Sequence, residues 1–199
     1  MLRYAGLFRF TECLLAAILI VLASPLLMVL MIIIRLDSRG ASIFKQVRVG
    51  RGGRQFVCYK LRTMSEGAPN AATHLVPRTY VSRVGAFLRA TRLDELPQLF
   101  NVLLGQMRFI GPRPCLPSQK FLVEQRRLLG VLEQEPGITG LAQVAGIDMS
   151  TPEYLAKVDA YYVQNRNLEL DLRILFSTIT RRPLKLDIVR PSRRILVEG

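Results

Sequence analysis

Hydrophobic and polar residues alternate with different periods along this chain, and each period predicts an element. From Cys13 to Ile34 the residues are apolar without interruption except for Ser24-Pro25 near the middle. About 22 residues at ~1.5 Å each reach roughly 33 Å, enough to cross a hydrocarbon core. Pro25 cannot donate to the Val21 carbonyl and its ring crowds that carbonyl, so a bend is expected there. Ser24 beside it can satisfy backbone groups freed at the break, which lipid would leave unpaired. Each half, about 11 residues, is too short to span alone. A kinked single span and a hairpin with both ends on one side both remain open.

Beyond the apolar run the pattern changes. Ile43 to Val49 alternates apolar and polar residues, Gly50 to Gly53 turns, and Gln55 to Arg62 follows as a second strand, a β-hairpin signal. Lys60 and Arg62, two apart, share a face. Ser65 to Pro77 has little periodicity and reads as a loop and candidate lid. Arg78 to Arg92 returns to helical spacing, with Val81, Val84, Phe87 and Leu88 as the face to be buried. Thr91 to Gly105 reads as a helix with Asp94 as N-cap, Pro97 in the first turn, and Leu96, Leu99, Phe100, Leu103 and Leu104 as its apolar stripe. Ser118 to Gln134 is a scaffold helix. Pro136 to Gly140 reads as a turn whose N–H groups can point at an anion. Thr151-Pro152 opens a helix that carries Asp159. Leu168 to Ile179 is amphipathic and suits either a core or a membrane interface.

Composition narrows the partners. The chain has 199 residues, half of them hydrophobic, and a formal net charge of +13. Its mean hydropathy is +0.24. Apolar and strongly basic together point to an anionic membrane surface, an anionic substrate, or both. Nucleic acid is discounted, because Trp is absent and no recognisable nucleic-acid module occurs. Arg3 and Arg9 precede the apolar run, while Arg35, Arg39, Lys45, Arg48, Arg51 and Arg54 follow it. Basic flanks prefer the cytoplasm, so basic flanks on both sides lean towards the hairpin. The run is longer than the roughly 7–15 apolar residues of a cleaved signal peptide. Cys13, Cys58 and Cys115 are few and scattered, suiting a reducing compartment rather than a disulfide framework or a zinc site. His74, the only histidine, is placed in the loop. A metal, if used, should be a hard, oxygen-bound ion such as Mg²⁺.

Candidate chemistry concentrates at Asp94 and Glu95. Adjacent carboxylates at the positive end of a helix, just after Arg89 and Arg92, are expected to be ionised. A held, ionised carboxylate beside cations suits nucleophilic attack on phosphorus. The bland alternative is a capping acid next to an ordinary first-turn charge. Arg113, set between Pro112 and Pro114, is presented with little entropy left to lose and suits bidentate phosphate recognition.

Three segments taken together carry a resemblance. Leu93-Asp94-Glu95-Leu96-Pro97-Gln98-Leu99, Gly111-Pro112-Arg113-Pro114, and Pro136-Gly137-Ile138-Thr139-Gly140-Leu141-Ala142-Gln143 resemble, in this order, the bacterial monotopic phosphoglycosyl transferases. These are polyprenyl-phosphate sugar-1-phosphate transferases, and the likeness runs from the apolar N-terminus to about Thr180, close to the minimal catalytic core. The resemblance implies an α+β, mainly helical fold: an N-terminal re-entrant membrane helix hairpin broken at Ser24-Pro25, a small β-hairpin and amphipathic interfacial helices. Residues 1–36 are then the anchor and residues 37–199 a catalytic domain on the cytoplasmic face of the bacterial inner membrane.

It also implies transfer of a sugar-1-phosphate from a UDP-sugar to polyprenyl phosphate through a covalent phospho-sugar on Asp94. Glu95 is the second catalytic acid, Asp94 and Glu95 are the Mg²⁺ ligands, and Lys60, Arg62, Arg89, Arg113, Thr139, Gln143 and Asp159 are the substrate-binding candidates. Anionic lipids are expected partners and a homodimer is one option. Two departures from the family pattern, Gln106 with Arg108 and Ile147 after Gly146, are expected to bear on sugar and nucleotide contacts. The rival reading is a membrane-anchored polybasic scaffold that binds lipid without catalysis. A membrane-tethered nucleic-acid binder, the third, predicts salt-dependent affinity for oligonucleotides.

Overall fold

A computed structural model describes residues 2–65, 67–68 and 76–184. Most of the expected lid, His74 and most of the basic C-terminal tail lie outside the described residues. Helix α1 runs from Leu2 to Asp37 with Pro25 inside it. The Ser24-Pro25 pair therefore lies within one helix, and not between two, so the expected break into a hairpin is absent here. The local chemistry expected there is present: Ser24 Oγ donates to the Val21 carbonyl at 2.8 Å, the group that Pro25 leaves without a donor.

The β-hairpin forms as expected, except that its second strand ends at Leu61, one residue before Arg62. Strand β1 (Ile43–Val49) pairs antiparallel with β2 (Gln55–Leu61), in a register that sets Phe44 opposite Lys60, Gln46 opposite Cys58 and Arg48 opposite Phe56. Opposed residues share a face, so Lys60, Gln46 and Arg48 lie on the same side of the hairpin. Helix α2 (Arg83–Thr91) begins at Ser82, whose side chain accepts the Gly85 N–H. Leu88 is buried as expected, whereas Phe87 is exposed on the outer surface.

Arg92 then takes a left-handed conformation (φ 60°) and turns the chain into a 3₁₀ turn, Leu93–Glu95, followed by α3 (Gln98–Leu103). Asp94 is consequently inside the turn and caps nothing. Arg92 occupies the position ahead of the turn and Pro97 the one ahead of α3.

The second half of the chain holds an unforeseen pairing. Strand β3 (Arg108–Ile110) runs parallel to β4 (Gly137–Thr139). The segment read as an anion-binding turn is thus a strand. Its glycines are there because two backbones nearly touch: a Cβ on Gly137 would sit 2.1 Å from the Gly111 nitrogen, and one on Gly140 would sit 2.2 Å from the Gly111 oxygen. The Gly137 N–H already donates to the Pro112 carbonyl. Helices α4 (Lys120–Leu128), α5 (Leu141–Val144), α6 (Pro152–Asn165) and α7 (Leu168–Thr180) complete the domain.

Apolar packing is divided between a domain core and the face of α1. Leu122, Leu141, Leu155, Val158, Tyr162 and Ile174 form the first, beneath α4 to α7. Along α1, Ala16 packs with Cys58, Val102 and Met107, and Leu27, Leu30 and Ile34 pack with Leu61 and Leu88. Leu93 and Leu96 lean on the latter group, which seats the Asp94-Glu95 turn directly on the apolar helix. On α7, Leu168, Leu172, Phe176 and Ile179 are exposed while Ile174 is buried, so the broad apolar face is the outer one.

Candidate active site

Glu95 is the anchor of the site. From the strand below, Lys60 Nζ reaches its Oε1 at 3.3 Å, and Arg113 Nη2 reaches the same oxygen at 2.6 Å. Burial alone would raise this carboxyl. Arg113, and then Lys60, more than offset that and bring it down to about 2. Asp94 beside it behaves in the opposite way. Burial raises its carboxyl, and the like charge of Glu95 raises it further, against the weaker pull of Lys60, Arg113 and Arg89. It makes no hydrogen bond or ion pair with another described residue. The neighbouring cations thus pull the Asp94 carboxyl down less than burial and Glu95 push it up, and their direct contacts are made with Glu95.

The fold explains this division. Asn101, on α3 and fully buried, receives the Tyr59 N–H at 3.1 Å and donates to the Val57 carbonyl at 2.6 Å. Its amide bolts α3 to the open edge of β2 and so fixes the turn against Lys60. On the other side, Gly85 lets α2 lie against residue 63, where Arg89 Nε donates to Thr63 Oγ1 at 2.8 Å. Burial lowers the Arg89 guanidinium and Asp94 pulls it back up.

These groups line a cavity of about 1340 Å³, larger than a typical small-ligand pocket, in which lysines and arginines outnumber carboxylates. Lys60, Arg62, Arg89, Arg113, Gln143 and Asp159 all border it, with Asp94 and Glu95. Arg62 does so with its head engaged, since Nη2 donates to the Ser38 carbonyl at 2.6 Å and so joins the strand to the end of α1. Asp159 is likewise engaged, its Oδ2 receiving two N–H groups of Arg126. Thr139 does not reach the cavity: its hydroxyl meets Thr178 on α7 at 2.7 Å. Of the departures, Gln106 accepts from Asn101 and Arg108 pairs with Glu12, both away from the cavity, while Ile147 borders it.

Sequence reasoning missed Arg48 and Arg126. Both are buried, at 7% and 2% exposure, where arginine is rarely found without a purpose. Arg48 could have been found from the hairpin register, which sets it on the face of Lys60. Arg126 had no such signal, because its partner Asp159 is 33 residues away.

Magnesium can be tested against these donors. Among the described residues no three acidic, histidine or cysteine side chains gather as a metal cage. Asp94 is unpaired and Glu95 uses only Oε1, so two carboxylates have oxygens to offer. That fits an ion bound through one or two carboxylates and completed by substrate phosphates.

A model of the bacterial sugar transferase family matches residues 4–183. Over 183 residues the chain is 38% identical to a Klebsiella pneumoniae UDP-glucose:undecaprenyl-phosphate glucose-1-phosphate transferase, covering 86% of this chain and 39% of the relative. It is 38% identical over 180 residues to the Caulobacter vibrioides protein of the same name, covering 86% and 67%. With the Rhizobium meliloti exopolysaccharide production protein ExoY it shares 33% identity over 188 residues, covering 86% and 83%. The chain thus spans about two-fifths of the first relative and most of the last. A match over nearly the whole chain, around a cation-lined cavity with two unlike carboxylates, places this chain in the bacterial sugar transferase family.

Proposed function

We propose that the chain transfers a sugar-1-phosphate from a UDP-sugar to polyprenyl phosphate at the cytoplasmic face of the bacterial inner membrane. The observation that carries this reading is the contrast at the dyad: Glu95 pinned by Lys60 and Arg113, Asp94 unpaired and facing the cavity. Two adjacent carboxylates given opposite environments are suited to two roles.

An Asp94 carboxylate oxygen attacks the β-phosphorus of the UDP-sugar. The bond from that phosphorus to the bridging oxygen breaks, and its electron pair leaves with UMP. A phosphate oxygen of the polyprenyl carrier then attacks the same phosphorus and displaces Asp94, regenerating the carboxylate and giving polyprenyl-diphospho-sugar. Splitting one exchange into two displacements makes a ping-pong scheme. Mg²⁺, which Asp94 and the free oxygen of Glu95 would hold, supplies charge neutralisation at the diphosphate. Arg113, Lys60 and Arg89 add fixed positive charge around it. Burial and Glu95 raise the Asp94 carboxyl, and a cation bound beside it would favour the charged form that attacks.

Membrane association rests on α1 and on the exposed apolar residues of α3 and α7. Contacts with the domain occur near both ends of the helix. Arg9 donates to the Val102 and Met107 carbonyls, Glu12 pairs with Arg108, and Ile34 lies in the core with Leu61. Ala16, Leu27 and Leu30 between them also pack on the domain, which supports both ends of α1 lying on the domain's side of the bilayer with its outer face in lipid. That is the placement of ends the re-entrant reading needs, and a span with its ends on opposite sides is disfavoured on this ground. Related proteins carry the names of glucose, N-acetylgalactosamine and galactose phosphotransferases, so the sugar is left to a screen.

The test uses purified protein in nanodiscs with Mg²⁺, polyprenyl phosphate and a panel of UDP-sugars. UMP release with one of them, and a radiolabelled phospho-sugar trapped on the wild type but not on Asp94→Asn, is the expected result. An Asp94→Asn variant that still makes the lipid-linked product would overturn the covalent scheme.

A further inference from the structure

Arg113 is carried by backbone with few donors of its own, because Pro112 and Pro114 have no N–H. Carbonyls are the remaining handles, and four in succession are taken. Pro112 O accepts from the Gly137 N–H at 3.0 Å, and Cys115 O accepts from the Val49 N–H at 2.9 Å. Between them, Arg113 O accepts from Arg126 Nη1 at 2.8 Å and Pro114 O from Arg48 Nη1 at 2.9 Å. The two inner carbonyls are thus held by buried guanidiniums, one on a helix and one on a strand, from opposite halves of the domain.

Arg126 is itself held. Its Nε and Nη2 both donate to Asp159 Oδ2, at 3.0 and 2.6 Å, and both side chains are 3% exposed. An ion pair this deep is weak support for stability, since apolar side chains of similar volume often do as well. What apolar side chains could not do is donate a third N–H to the Arg113 carbonyl. A lysine could not do so while also holding Asp159 in this geometry.

We infer that Arg126, locked by Asp159, is a positioning residue: it fixes the Arg113 main chain so that the Arg113 guanidinium stays on Glu95 and faces the substrate phosphates. Neither Arg126 nor Asp159 needs to touch the reacting atoms. Asp159 borders the cavity, yet its Oδ2 accepts from the guanidinium beneath, which distinguishes it from a substrate ligand. The inference rests on the transferase reading for its kinetic arm and on the geometry alone for its spectroscopic arm.

The experiment is a double-mutant cycle on the full chain in nanodiscs, with Arg126→Lys and Arg113→Gln. Alone, Arg126→Lys should lower kcat/KM for the UDP-sugar roughly 10- to 100-fold, the scale set by misplacing a group near the chemistry. In the Arg113→Gln background it should have no further effect beyond about twofold, because the group it positions is gone. Equal losses in both backgrounds, as a general loss of fold would give, overturn the inference. Should Arg126→Lys fail to fold, Asp159→Asn, which keeps the shape, enters the same cycle and is judged by the same criterion.

The second arm records the ¹⁵N spectrum of the arginine side chains, with Arg113 assigned by its absence in Arg113→Gln. Restricted guanidinium rotation of Arg113 in the wild type, and free rotation in Arg126→Lys or Asp159→Asn, is expected. An unchanged Arg113 signal overturns the inference. Were the wild type to turn over none of the UDP-sugars, the transferase reading would fail, and this spectrum would still decide whether Arg126 positions Arg113.

Discussion

Glu95 and Asp94 are neighbours along the chain and differ in almost every physical respect. Arg113 and Lys60 converge on one oxygen of Glu95, while nothing described is bonded to Asp94. In the metal-free protein this has a signed consequence for stability. The Glu95 carboxyl lies at about 2 in the folded chain against an ordinary 4.5. A depressed acid contributes stability that is present above its unfolded pKa and is lost as pH falls towards the folded one, here between about 4.5 and 2. The contribution is on the order of 3 kcal/mol. Glu95→Gln should therefore melt below the wild type at neutral pH without magnesium, and the gap should narrow as the pH is taken below 4.5. A gap that stays constant down to the acid limit would mean that the cations do not hold this carboxylate.

Elements meet closely where the site needs them to, and small residues mark the places. Gly85 lies so near residue 63 that an added Cβ would fall 2.0 Å from the Thr63 oxygen, a backbone atom with no room to yield. Gly85→Ala should force α2 away from the end of β2 at a cost of about 1–3 kcal/mol. It should also part Arg89 from Thr63 and lower turnover, whereas Gly52→Ala, at the hairpin tip with open space but φ 64°, should cost some stability and leave turnover unchanged. Denaturant melts and UMP release on the two variants check this. The β-hairpin and α2 were legible in the sequence because each depends on a local period. The pairing of β3 with β4 was not, since each strand has three residues and its partner is remote.

At the scale of the whole molecule, the apolar helix serves as both anchor and floor. Arg9 and Glu12 tie its start to Val102, Met107 and Arg108, and Ser38 ties its end to Arg62. Leu93 and Leu96 rest on it, so the dyad is held against the apolar helix, and the proposed membrane seating would set it at the level of a lipid headgroup. In a Cys13→Ser background, Thr11→Cys and Arg39→Cys probe the two exposed ends of the helix. An impermeant maleimide should label both in inside-out vesicles and neither in intact spheroplasts. One end labelled from each side would show a straight span and sink the re-entrant reading.

By itself the sequence determined the features whose cause is local: the apolar run and the proline that leaves Val21 without a donor, the hairpin with its Gly turn, and the paired acids ahead of an apolar stripe. Proline geometry and periodicity act over a few residues, so those features could be read directly. Only the tertiary structure decided which acid receives the cations, because Arg113 and Lys60 reach Glu95 from distant segments. It likewise turned Thr139 towards Thr178, made strand of an expected anion-binding turn, and buried Arg48 and Arg126 beneath the Arg113 loop. A buried cation has the same letter as a solvated one, and its meaning comes from what the fold brings against it.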